Sequence, residues 1–72
     1  MRPRNAIRPT DVGKRVTLQF FDDDGSRKEA VGVLERAEKD GDDVVLLIRR
    51  RDDSLTRVPM RRIRFGKVVE RS

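Results

Sequence analysis

Eight basic residues fall within nineteen positions in the second half of this 72-residue chain: Arg49, Arg50, Arg51, Arg57, Arg61, Arg62, Arg64 and Lys67. A guanidinium group is a planar fork that pairs bidentately with phosphate or carboxylate. Gathered on one side of a fold, these residues would form a positive surface for nucleic acid or for an acidic protein. Single-strand binding usually adds aromatic platforms on which bases stack. The chain has no Trp or Tyr and only three Phe, at 20, 21 and 65. Phe21 breaks the alternation around it, so with Phe20 turned inward it faces out as a candidate anchor. Asp52, Asp53 and the acidic turns compete for the same arginines, which would leave an ordinary solvated face.

Catalysis has few residues to draw on. His, Cys, Tyr and Trp are all absent. That removes the usual general base near neutral pH, the thiolate nucleophile and the nitrogen and sulfur metal ligands. Ser26, Ser54 and Ser72 remain, none with a base beside it. Asp22-Asp23-Asp24-Gly25 superficially suggests a calcium loop, but an EF-hand alternates its ligands and closes on a glutamate at position twelve. Consecutive aspartates before glycine read instead as a solvated turn. No catalytic residue, metal or cofactor is expected, and no enzymatic activity of this chain by itself.

The length admits one domain, and one this small buries only about 60% of the surface its unfolded chain exposes. Without cysteine it has no disulfide or zinc staple, a composition that fits a reducing cytoplasm. No apolar run reaches the ~18 residues of a membrane span, and MRPRNAIRPT lacks the apolar core of a secretory signal. Charged residues make up 43% of the chain and aromatics 4%. Such a balance leans toward disorder, but the apolar residues are grouped in strand-like runs. The charge is segregated: residues 1–8 carry +3, residues 9–43 carry −4 and residues 44–72 carry +6.

The elements that must position these side chains are short strands. Residues 1–9, with Pro3 and Pro9 among arginines, read as a flexible basic arm ahead of a barrel over 10–70. Lys14 to Phe21 alternates, with Val16, Leu18 and Phe20 on one face. Asp24-Gly25 marks a hairpin turn, because the turn needs positive φ. Over 27–36 the alternation fails, and Gly32 is expected to bend that strand so that its halves serve two sides of a sheet. Val44 to Ile48 is apolar on both faces. Strands over 55–58 and 64–69 flank Pro59 and a 3-10 turn at 60–63. The expected core is Val16, Leu18, Phe20, Val31, Val33, Leu34, Val44, Leu46, Ile48, Val58, Ile63 and Val68, with Phe65 turned toward it. The fold class is therefore all-β: a five-stranded small barrel of SH3-like or Sm-like type, with a 3-10 turn before the last strand and no exposed edges once closed.

Asp11-Val-Gly-Lys-Arg-Val16, Asp24-Gly25, Ala30-Val-Gly-Val-Leu34, Val58-Pro59, Ile63 and Gly66-Lys-Val-Val69 together resemble the SH3-like barrel that precedes the catalytic domain in some bacterial GNAT-family N-acetyltransferases. The resemblance covers about residues 10–69. It implies a non-catalytic accessory or protein-binding module whose partner is an acetyltransferase domain, with Phe21 and Phe65 among the contacts. The family's acetyl-coenzyme A loop, Arg/Gln-x-x-Gly-x-Gly/Ala, does not occur here. A second resemblance is to the Sm-like C-terminal barrel of the ribosome maturation factor, on Gly13-Lys-Arg-Val16, Gly32 and Leu34. It implies a basic RNA- or ribosome-binding barrel. The aspartate–asparagine pair of a true Sm site is replaced here by Asp40-Gly41-Asp42.

Overall fold

In the computed structural model, residues 4–69 are described. Six strands form one sheet: β1 (Arg4–Asn5), β2 (Arg15–Phe21), β3 (Arg27–Asp40), β4 (Asp43–Arg49), β5 (Leu55–Pro59) and β6 (Ile63–Val68). A single 3-10 turn, Met60–Arg62, precedes β6. The strand order is β1-β6-β2-β3-β4-β5. The all-β reading, five antiparallel strands with the 3-10 turn before the last, is borne out. Closure is not: among the described residues no ladder joins β1 to β5, so the curled sheet keeps two edges.

The turns follow from their residues. Asp22–Ser26 and Arg50–Ser54 close in the same way. The first residue's N–H donates to the serine carbonyl, and the fourth residue's N–H donates back to the first carbonyl. A residue with positive φ completes each, Gly25 at 82° and Asp53 at 70°. Within each, the serine N–H and hydroxyl both donate to the middle aspartate's Oδ1, the hydroxyls at 2.6 Å. Asp22, Asp24, Asp52 and two of the three serines thus lock the turns through their own side chains.

Gly32 sits in the middle of the fourteen-residue β3. Residues before it pair with β2 and residues after it with β4, while Val33 faces both Arg15 and Arg49. A Cβ at Gly32 would stand 2.1 Å from the Arg49 carbonyl oxygen. The two halves of β3 thus serve different neighbours, as expected, and close backbone approach is what requires glycine there.

The core comprises Ile7, Val16, Leu18, Phe20, Ala30, Leu34, Leu46, Ile48, Val58 and Ile63, with Val44 and Val68 packed partly against it. Three expectations are corrected. Val31 is half exposed and Val33 intermediate, because Ala30, Gly32 and Leu34 take the inward positions of β3. Phe65 faces outward: Phe20 pairs with Ile63 but Gln19 with Phe65, so Arg64 is an extra residue and the bulge resets the alternation of β6. The basic arm is in part structural. Arg4 and Asn5 pair in parallel with Phe65 and Gly66, and Ile7 is 2% exposed. The Asn5 side chain accepts from the Ile7 N–H at 3.0 Å and helps turn the chain inward. Residues 1–3 lie outside the described residues.

β4 buries its second face as well. Val45 and Leu47 are nearly fully buried, yet point away from the main core. Leu47 is paired between Arg36 and Arg57, and Val45 between Glu38 and Pro59. Glu38 bridges Arg36 at 3.3 Å and Arg57 at 3.5 Å above them. The aliphatic stems of the two arginines thus flank apolar surface while their heads stay wet.

Candidate binding surface

The eight basic residues singled out by spacing do not converge. Arg49 ends β4 on the outer side and makes a two-pronged contact with Glu35, both N–O distances 3.0 Å, with Asp53 at 3.9 Å. That hydrogen-bonded pair raises the Arg49 pKa and holds the Glu35 carboxyl below its usual range. Arg57 pairs with Glu38, Arg61 with Asp43 at 3.6 Å and Arg62 with Asp23. Half of the set is therefore engaged by acids from other strands and turns. As exposed pairs these contribute little stability each, but they cancel charge locally.

Arg50, Arg51, Arg64 and Lys67 make no ion pair among the described residues. Arg50 donates through Nη2 to the Glu29 carbonyl at 2.8 Å. Arg51 is exposed in the β4–β5 turn. Arg64, the bulge residue of β6, lies with its guanidinium carbon 6.0 Å from the centre of the Phe21 ring, within cation–π range. Lys67 projects from the outer side of β6 opposite Thr17.

Phe21 and Phe65 lie on this same outer side, 36% and 38% exposed. Phe65 pairs with Gln19, two residues before Phe21 on one face of β2, so the rings are diagonal neighbours with Arg64 beside Phe21. Around them stand Thr17, Arg27, Lys67 and, at the far end of β2, Arg15. The face is aromatic and basic, with Glu29 as the acid paired to Gln19. Arg15 was not among the spacing-derived candidates, although its outward position follows from the alternation of β2.

At the opposite end of the curled sheet, Phe20, Phe21, Val45 and Pro59 line a cleft with Arg57, Arg62, Asp22, Asp23 and Asp40 at its rim. Positive and negative groups alternate there, so it has no single charge preference. Among the described residues no group of three or more His, Cys, Asp or Glu is placed to hold a metal ion. No helix among them is long and apolar enough to cross a membrane. Compared with known protein families, characterised proteins and solved structures, the chain matches none.

Proposed function

We propose that the chain is a non-catalytic, SH3-like interaction module, an accessory to a GNAT-family N-acetyltransferase domain in a bacterial cytoplasm. Its contact surface is the outer face of β2 and β6. The observation carrying this reading is the diagonal placement of Phe21 and Phe65: two of the three phenylalanines stand about a third exposed on one face. Adjacent exposed aromatics ringed by polar groups are the composition of an interface centre. The acetyltransferase partner rests on the resemblance over residues 10–69.

The alternative is a basic RNA-binding barrel. It draws support from Arg64 and Lys67, which flank the two rings without an acid partner among the described residues. Such a face combines stacking platforms with phosphate-neutralising charge.

One titration separates the two. Isotope-labelled protein is followed by amide spectra while an acetyltransferase domain, or a single-stranded oligoribonucleotide at low salt, is added. Saturable shifts at Phe21, Arg64 and Phe65 with the domain support the first reading. Shifts only with RNA, falling steeply with salt, replace it with the second. Acetyl transfer by the purified chain alone would overturn both.

A further inference from the structure

At the Arg15 end of β2, a groove of about 330 Å³ is lined by the bend of β3 (Val31 to Val33), by Arg15 and by the consecutive Arg49, Arg50 and Arg51. No acid lines it. It shares Val31, Arg50 and Arg51 with a more open depression of about 480 Å³, where Glu29 and Asp52 join the wall. Segments far apart in sequence thus deliver four guanidinium groups to one concavity.

Their hydrogen-bonding states differ. Arg49 is taken up by Glu35 and Asp53 and acts as a wall. Arg50 is held in place by the Glu29 carbonyl, and its Nε is buried without an acceptor among the described residues, so it is the Nη edge that faces the groove. Arg15 and Arg51 are exposed and make no ion pair among the described residues. The Oδ1 of Asp52 already accepts from the Ser54 N–H and hydroxyl. Two guanidinium groups without an acid partner among the described residues therefore flank a third that is already oriented, which reduces the ordering cost of capturing an anion.

We infer that this groove binds a phosphate group. A carboxylate is planar, carries one charge and is satisfied by a single arginine fork. A phosphate is tetrahedral, with three or four oxygens, and suits guanidinium donors arriving from several sides. Val31, 49% exposed at the edge of the groove, gives the rest of a phosphate-bearing ligand an apolar surface to lie on. Glu29 and Asp52 stand in the neighbouring depression, so the anion is held toward Arg15. The site is distinct from the Phe21–Phe65 contact and does not depend on it. A small molecule and a nucleic-acid backbone both carry such a phosphate, and the same arginines would meet either.

The test follows arginine Nε–Hε resonances while inorganic phosphate replaces sodium chloride at constant ionic strength. Arg15, Arg50 and Arg51 are expected to shift saturably, with a dissociation constant of order 1 mM, while Arg27 and Arg36 do not. Arg15→Gln and Arg51→Gln, both at exposed positions, together weaken binding about tenfold or more, with the amide spectrum reporting that the fold is intact. A short oligoribonucleotide that shifts the same three arginines, and competes with phosphate, assigns the backbone as the source. If all arginines drift alike without saturation, if acetate binds as tightly as phosphate, or if the double variant binds unchanged, the inference is overturned. Phe21→Ala leaves phosphate binding intact, so failure here is separable from failure of the interaction face.

Discussion

Gly32 and Arg49 touch backbone to backbone: a Cβ on Gly32 would lie 2.1 Å from the Arg49 carbonyl oxygen and 2.9 Å from its carbonyl carbon. Neither atom is the end of a flexible side chain, so the strands themselves would have to part. Gly32→Ala is therefore expected to cost at least the upper end of the ~1–3 kcal/mol typical of overpacking. In so small a domain that is a large share of total stability. Denaturant melts of the two proteins measure it. A variant as stable as the parent would mean that β3 does not bend against β4 as described.

Ile7 provides a second measurement. It belongs to the core although it lies between arginines and ahead of Pro9. Ile7→Ala should destabilise by about 2–4 kcal/mol, whereas truncating an exposed arm residue would change nothing. Gly66 reports on the same contact, because a Cβ there meets Asn5 Oδ1 at 2.7 Å and Ile7 Cδ1 at 2.9 Å. Gly66→Ala should loosen β1 from β6 and expose the Ala6 amide, which donates to the Gly66 carbonyl, to hydrogen exchange.

Asp53 holds the left-handed position that Gly25 fills in the matching turn. Asp53→Gly removes the strain of a side chain there while the Asp52–Ser54 lock stays. A gain of about 0.5–1 kcal/mol is expected, seen as a higher melting temperature. Loss of stability would show that the 3.9 Å contact between Asp53 and Arg49 matters more than the backbone conformation.

Four carboxyls are held below their ordinary pKa range. The Arg8 N–H acts on Asp11, the serine hydroxyls of the two matching turns on Asp24 and Asp52, and the Arg49 guanidinium on Glu35. A carboxylate with a depressed folded pKa stabilises the fold fully above its unfolded value, near pH 4. That stabilisation is lost as pH falls through the folded value. Thermal melts should thus be flat from neutrality down to about pH 5 and decline below. Glu35→Gln should lessen the acid decline, and a melting temperature that rises on acidification would contradict the assigned pairs.

Phe21→Ala and Phe65→Ala remove rings only about a third exposed, so each should cost roughly 1–2 kcal/mol of stability, less than a fully buried phenylalanine. Each should weaken partner binding by ~1 kcal/mol or more, as interface anchors do. Thermal melts read the first, and calorimetry against the proposed partner, an acetyltransferase domain, reads the second. Unchanged affinity in the double variant would remove this face from the interaction.

Much of the fold was legible because β2 follows a strict period of two: Val16, Leu18 and Phe20 are inward, as alternation requires. Asp24-Gly25 and Gly32 were legible because turns and close approaches admit few residue types. Phe65 was not, since one extra residue at Arg64 reverses every orientation after it and leaves no mark in composition. Val31 was misplaced because valine is the more apolar residue, whereas the inward side of β3 there has room for alanine and glycine. The basic surface was the least legible part. Spacing brings Arg49, Arg57, Arg61 and Arg62 near one another in sequence, but cross-strand acids at 23, 35, 38 and 43 claim each of them. Arg15, thirty-four positions before Arg49, reaches the same groove only through the sheet.

The parallel pairing of β1 with β6 has a consequence for biosynthesis. β6 is the last of the six strands to leave the ribosome, yet it occupies the second place in the sheet, between β1 and β2. Until it emerges, Ile7 has no Gly66 to lie against, and the N-terminal segment waits unpartnered while the four intervening strands are made. The N-terminal edge of the sheet therefore forms only after β6 has emerged, so it is gated by the sixth strand rather than by the first.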